Sequence, residues 1–176
     1  MLRMGVVLGI VFGVFAIAAR LLPHVPNFAP VGALALWAGM YMPKKYSFAG
    51  LFAVVLASDI LIGFYELKIM AVVYVSYALI ILMGQFLKKQ EVPLAPLLGT
   101  LGSAILFYVT TNFAVWAFGT YYPHTWAGIV ECYLMAVPFF RTTLQSDIVY
   151  GVVFFGVYEV ALAGWARKKA LVPVRA

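Results

Sequence analysis

The chain has 176 residues, of which 65% are apolar or aromatic and only 10% are charged. Average soluble domains carry about a quarter charged residues, so this composition excludes an ordinary water-soluble globule. The net charge of +6 does not indicate nucleic-acid binding, because the basic residues are scattered at the ends of apolar runs. The single cysteine, Cys132, excludes an internal disulfide and a cysteine-based metal cluster.

Long apolar runs predict an all-α integral membrane protein, a compact bundle of six transmembrane helices that forms one domain over residues 1–176. The predicted spans cover residues 4–20, 27–43, 46–65, 69–87, 94–118 and 141–166. Residues 127–140 are also apolar, but this stretch is short and contains Glu131 and Pro138. We therefore predict that it forms a re-entrant or interfacial segment before the last helix.

The distribution of basic residues predicts the orientation of these spans. Nine of the twelve basic residues fall on one side: Arg3, Lys44, Lys45, Lys88, Lys89, Arg167, Lys168, Lys169 and Arg175. Only Arg20, Lys68 and Arg141 fall on the other side. By the positive-inside rule, both termini are expected to face the cytoplasm.

Polar residues in three predicted spans lie at a similar depth, in the outer third of the bundle. These residues are Asp59 in the third span, Asn112 in the fifth and Asp147 in the sixth. Because a carboxylate in a membrane is costly unless it is paired or hydrated, we expect them to surround a polar cavity. Arg20 and Arg141 are the nearest cations, and either could neutralise an aspartate. The alternative is a set of hydrogen bonds between helices, with no ligand.

The outer connections supply further candidate ligand-binding residues: His24, Asn27, Trp116, Tyr122 and Cys132. Aromatic rings with a few donors and acceptors suit an amphipathic small molecule better than a bare ion. For any one of the aromatic residues, an interfacial belt is the competing explanation. His24 and His124 could hold a metal with Cys132 or Glu131, but no spacing supports it, so neither a metal nor a cofactor is predicted.

Gly5, Gly9 and Gly13 line one face of the first helix and predict close approach of another helix. That helix could belong to this chain, to a second copy or to a different subunit. Glu159, in the inner half of the last span, has no role that the sequence indicates.

Several strings resemble, in order, a bacterial family of uncharacterised membrane proteins that are described as transport proteins. They are Arg20-Leu21-Leu22-Pro23-His24-x-Pro26-Asn27-Phe28, Pro30-Val31-Gly32-Ala33-Leu34-Ala35-Leu36, Ser58-Asp59, Thr111-Asn112-Phe113-x-Val115-Trp116, Cys132-Tyr133 and Pro138-Phe139-Phe140-Arg141-x-Thr143-Leu144-x-x-Asp147. That family is similar to the S components, the substrate-binding subunits of energy-coupling-factor vitamin transporters.

The resemblance implies a protein of the bacterial cytoplasmic (inner) membrane, with a ligand pocket open to the outer face. It also implies that the glycine face of the first helix contacts an energy-coupling membrane subunit, and that partner ATPases supply the energy. The chain itself would not be an enzyme. Some similar proteins import cobalamin and place a cysteine against the cobalt, so Cys132 makes cobalamin a specific candidate ligand.

Three functions remain open at this point. The first, which the pattern favours, is a transport protein that binds a small vitamin-like or cofactor-like molecule. The second is a structural or assembly protein of the membrane, without a ligand. The third is an intramembrane enzyme that uses Asp59 and Asp147 as a carboxylate pair, which would have to share a water or a metal.

Overall fold

A computed structural model describes residues 2–92 and 94–171, which form six helices and no strand within those ranges. The helices are α1 (Leu2–Leu21), α2 (Val31–Tyr41), α3 (Lys44–Ile62), α4 (Leu67–Lys89), α5 (Ala95–Phe118) and α6 (Trp126–Leu171). The predicted all-α architecture of six helices is confirmed for this part of the chain. Arg175 and the side chains of Arg3, Lys168 and Lys169, which the predicted orientation used, lie outside the described residues.

Helix α2 lies at the centre of the bundle and contacts each of the other five helices. Nine of its residues are buried, and Trp37 is fully enclosed by aromatic neighbours that include Phe12 and Tyr158. The predicted span of 27–43 was too long. Pro30 occupies the N-cap and Asn27 has a φ of 64°, so the backbone turns helical only at Val31.

Consecutive helices run in opposite directions, as contacts between them show. Gly5 near the start of α1 lies against Tyr41 at the end of α2, so α1 and α2 are antiparallel. The amine of Lys88 at the end of α4 lies 4.7 Å from the ring centroid of Tyr41, so α2 and α4 run in the same direction. One end of the bundle, called here the polar end, holds Arg20, the start of α2 and the end of α3. The other end, called the lysine end, holds four lysines of the helix termini: Lys44, Lys45, Lys88 and Lys89.

Glycines allow α2 and α4 to pack backbone against backbone. A Cβ added to Gly84 would lie 2.6 Å from the carbonyl oxygen of Leu36, and one added to Gly39 would collide with the carbonyl of Ile81. Neither neighbour is a flexible side chain, so the helices would have to separate. The central position of α2 therefore depends on these two glycines.

Replacing Gly84 by alanine is expected to lower the free energy of unfolding by about 1–3 kcal/mol, because overpacking forces the two backbones apart. Gly156→Ala on α6 is the matched control, since no atom lies within 4 Å of its added Cβ. Thermal unfolding of the purified protein measures both. Equal melting temperatures for the two variants would contradict the close approach of α2 and α4.

A separate re-entrant or interfacial segment before the last helix was predicted for residues 127–140, and this is wrong because they are the first turns of α6. This helix continues through Pro138 as far as Leu171. Glu131 does not oppose the helix, since its side chain is exposed rather than buried. Proline lacks the N–H of one helical hydrogen bond, and α6 continues through Pro138 despite this loss.

Five of the six helices are long and apolar enough to cross a membrane: α1, α3, α4, α5 and α6. Their outward faces carry many exposed large apolar side chains, such as Val14, Ile60 and Val152. Helix α2, at 11 residues, is the exception. Its length of about 17 Å is shorter than the hydrocarbon core of a bilayer. Its apolar side chains are buried by the surrounding helices instead.

Candidate functional site

A cavity of about 470 Å³ opens at the polar end, between the start of α2 and the surrounding helices. The exposed residues His24 and Asn27 line it together with the buried Val31 and Asp147, so it reaches from the surface into the core. Five of the predicted ligand-binding residues are among its lining: Arg20, His24, Asn27, Asn112 and Asp147.

Asp59 forms an ion pair with Arg20 and is enclosed by partners. Nη2 of Arg20 lies 2.7 Å from Oδ1 of Asp59, and Nη1 donates to Oγ of Ser58 at 2.6 Å. The hydroxyl of Tyr74 donates to the second carboxylate oxygen of Asp59 at 2.9 Å. Both oxygens are thus occupied, and Asp59 is not part of the cavity lining. This pair joins the end of α1 to α3.

Asp147 has a different partner, the first turn of α2. Its carboxyl group interacts with the backbone N–H of Ala33, and a Cβ on Gly32 would lie only 2.5 Å from Oδ1. Pro30 at the N-cap offers no side-chain hydrogen bond, so the positive start of α2 receives its acceptor from α6. The neighbouring Ser146 donates to the carbonyl of Ala29 at 2.9 Å, which fixes the same approach.

Tyr65 and Tyr77 bring phenol groups to this region. Tyr65 lies in the connection between α3 and α4 and lines the cavity. Burial, and secondarily the carboxylate of Asp59, raises the pKa of Tyr65 to about 12, so its hydroxyl is a neutral donor at physiological pH. Tyr77 of α4 lines the same cavity.

Asn112 and Cys132 connect α5 to the first part of α6. The side-chain amide of Asn112 donates to the carbonyl of Tyr108 at 2.8 Å, and the residue lines the cavity. The thiol of Cys132 is buried and donates to the backbone carbonyl of Asn112 at 3.4 Å. Cys132 is therefore a packing residue outside the lining, and the candidate role as a cobalt ligand finds no support in its position.

Three other predicted residues lie outside the cavity lining. Arg141 is exposed, and the ion pair of Asp59 goes to Arg20 instead. Trp116 donates from Nε1 to the carbonyl of Pro123 at 3.0 Å, and its ring lies against His124. Tyr122 lies in the connection between α5 and α6. Within residues 2–92 and 94–171, no group of three or more histidine, cysteine or acidic side chains could hold a metal ion.

The chain belongs to a family of unknown function, DUF6580, which matches residues 2–171. No curated protein and no solved structure matches the chain. The family description names no ligand, reaction or partner, so the similarity to S components stays a prediction.

The glycine face of α1 meets other helices of this same DUF6580 chain. An added Cβ would lie 2.5 Å from the Tyr41 carbonyl oxygen at Gly5, 2.5 Å from the Met42 sulfur at Gly9 and 2.8 Å from Val54 at Gly13. Gly9 and Gly13 also line an apolar groove of about 380 Å³ between α1 and α3. The face therefore serves internal packing and leaves a small apolar surface beside it.

The sequence prediction missed the aromatic side chains that line much of the cavity. They are Tyr65, Tyr77, Phe107, Tyr108, Phe139 and Phe140. Tyr74, the partner of Asp59, was also missed. A signal was present, because tyrosines are unusual within otherwise aliphatic runs such as residues 69–87. Glu159 now has a contact as well, since the hydroxyl of Tyr41 donates to it at 3.4 Å at the lysine end.

Asp59→Asn is expected to cost about 3 kcal/mol of unfolding free energy, because Arg20, only 19% exposed, loses its counter-charge. Thermal unfolding measures this loss. Glu131→Gln removes an exposed carboxylate and should change stability by less than about 0.5 kcal/mol. The double variant Arg20→Leu with Asp59→Leu should recover most of the loss, since no unpaired charge is left. An Asp59→Asn variant as stable as the wild type would refute a structural role for the ion pair.

Proposed function

We propose that this chain is an integral membrane protein that binds a small molecule in the cavity at the polar end. The five long apolar helices and their exposed apolar faces support insertion into a bilayer. The observation that supports a binding function is the cavity itself. It holds a buried carboxylate at its inner wall and a partly exposed arginine in its lining, within a volume typical of small-molecule sites.

In this proposal the polar end faces the outside of a bacterial cytoplasmic membrane and the lysine end faces the cytoplasm. Lysines at the start of α3 and at the end of α4 support this orientation, because basic residues are enriched on the cytoplasmic side. Both termini of the chain are then cytoplasmic. The cavity opens to the outside, where a nutrient would be captured.

The orientation predicts which positions an impermeant maleimide reaches in intact spheroplasts. In a Cys132→Ser background, Tyr121→Cys in the connection between α5 and α6 should be labelled from outside. Lys45→Cys at the start of α3 should be labelled only after the membrane is permeabilised. The reverse pattern would overturn the orientation, and labelling of both positions in intact cells would contradict a sealed membrane insertion.

We further propose that binding serves transport, with this chain in the role of an S-component-like substrate-binding subunit. A central helix closed in by apolar side chains, with polar groups toward one end, supports a binding protein over a continuous channel. The proposal assigns energy supply to an energy-coupling membrane subunit and its ATPases. The apolar groove between α1 and α3 offers a surface for such a subunit, and the chain itself carries out no reaction.

The two other functions have less support from the site. A carboxylate pair for intramembrane catalysis requires both aspartates at one water or metal. Asp59 is instead occupied by Arg20 and Tyr74, and of the two aspartates only Asp147 lines the cavity. An assembly protein without a ligand accounts for the Arg20–Asp59 pair, but it gives no reason for a cavity of this size.

Filling the cavity should abolish ligand binding. Val73 lines the cavity, whereas Val75 on the same helix is 56% exposed, so Val73→Trp and Val75→Trp form a matched pair. A panel of vitamins and cofactors is screened by thermal shift on the wild type. A compound present at a hundred times its dissociation constant should stabilise the wild type by about 2.7 kcal/mol.

The stabilisation should persist in Val75→Trp and disappear in Val73→Trp. A compound that stabilises all three proteins equally binds elsewhere and contradicts the cavity as the site. A panel that includes the common vitamin classes and stabilises none of the proteins would argue against the binding function.

A further inference from the structure

The charged side chains at the cavity are not all paired with one another. Arg20 contributes a positive charge, but Asp59 lies 2.7 Å from it and cancels that charge locally. The hydroxyls of Ser58 and Tyr74 take part in the same cluster. The cluster is neutral in sum, although Arg20 itself is one of the lining residues.

Asp147 is the remaining charged group deep in the cavity wall. It is only 2% exposed, and no lysine, arginine or histidine forms an ion pair with it in the described part of the chain. The start of α2 supplies about half an elementary charge, which compensates an ionised carboxylate only in part. A buried carboxylate that has no ion-pair partner is stabilised by a cation beside it.

The aromatic lining favours the same sign of charge. Phe107, Tyr108, Phe139 and Phe140 line the cavity from α5 and α6. The faces of such rings carry negative potential and attract ammonium groups, most strongly where water is excluded. An anionic ligand would meet the carboxyl group of Asp147, and it would gain no attraction from any ring face that it contacts. Two independent features of the lining thus select a positive group.

We propose that the cavity binds a molecule with a protonated amine and an apolar body, and that the amine donates to the carboxylate of Asp147 while the body packs among the aromatic rings. This inference rests on the proposed binding function and adds the chemical class of the ligand. Arg20 and Asn112 line the same cavity, where polar groups elsewhere on the molecule could contact them.

Three probes that share a phenyl group and a two-carbon chain test the charge preference: phenethylammonium, phenethyl alcohol and phenylacetate. Their dissociation constants are measured by titration calorimetry on the full chain in an uncharged detergent. We expect phenethylammonium to bind at least about tenfold more tightly than the alcohol, and phenylacetate to bind most weakly. Equal affinity of the amine and the alcohol would overturn the inference.

Asp147→Asn keeps the shape and an acceptor oxygen for α2, and it should remove most of the preference for the amine. Glu131→Gln is the matched control, because it removes an exposed carboxylate that is not part of the cavity lining, and it should keep the preference. Phe140→Leu tests the aromatic contribution without touching the start of α2, and it should weaken amine binding about threefold. An unchanged preference in both Asp147→Asn and Phe140→Leu would contradict the inference.

Selectivity for amines and ligand binding in general are tested by different measurements. If the alcohol binds the wild type as tightly as the amine and is lost in Val73→Trp, the cavity is a binding site without selectivity for amines. If none of the three probes binds, the amine preference is refuted, and the vitamin and cofactor panel decides separately whether the cavity binds any ligand.

Discussion

The contact between Asp147 and the start of α2 is the interaction on which the other features of the polar end depend. A helix that begins inside a bundle leaves backbone N–H groups without partners, and the N-cap residue Pro30 has no side-chain acceptor for them. The carboxyl group of Asp147 on α6 interacts with one of these groups, the N–H of Ala33. Position 32 must then be glycine, because a Cβ would occupy the space of that carboxylate. The same contact brings α6 to the centre of the bundle and forms the inner wall of the cavity.

The two aspartates near the polar end have different partners. Asp59 is neutralised by Arg20 and Tyr74, so it holds α1, α3 and α4 together. Asp147 meets only the partial charge of a helix terminus, so a cationic ligand is proposed to supply its counter-charge. The aspartate of the ion pair and the aspartate at the start of α2 look alike in the sequence. Each follows a serine in an apolar helix, as Ser58-Asp59 and Ser146-Asp147. Only the surrounding backbone separates the structural carboxylate from the one proposed to bind.

Much of the fold could be predicted from the sequence, because long apolar runs leave helices as the only structure that satisfies the backbone. The similar depth of the two aspartates followed from counting helical residues, and Arg20 was one of two expected cations. The predictions failed where proline was decisive: Pro30 shortened α2, whereas Pro138 did not interrupt α6. Asp147 was expected to face a polar cavity, with Arg20 and Arg141 as the cations that could neutralise it. Its partner is a backbone N–H, which has no sequence signal, and the rings of Phe139 and Phe140 lay in the segment predicted to be re-entrant.

The central claim is that the carboxylate of Asp147 caps α2 and also binds the amine of a ligand. Anomalous scattering from crystals grown with para-bromophenethylammonium tests this claim most directly, because the bromine position fixes where the probe lies. The account predicts a bromine peak among the aromatic rings of the cavity, with the amine within about 3 Å of the Asp147 carboxylate. A bromine peak in the apolar groove between α1 and α3, or an amine directed away from Asp147, would contradict it.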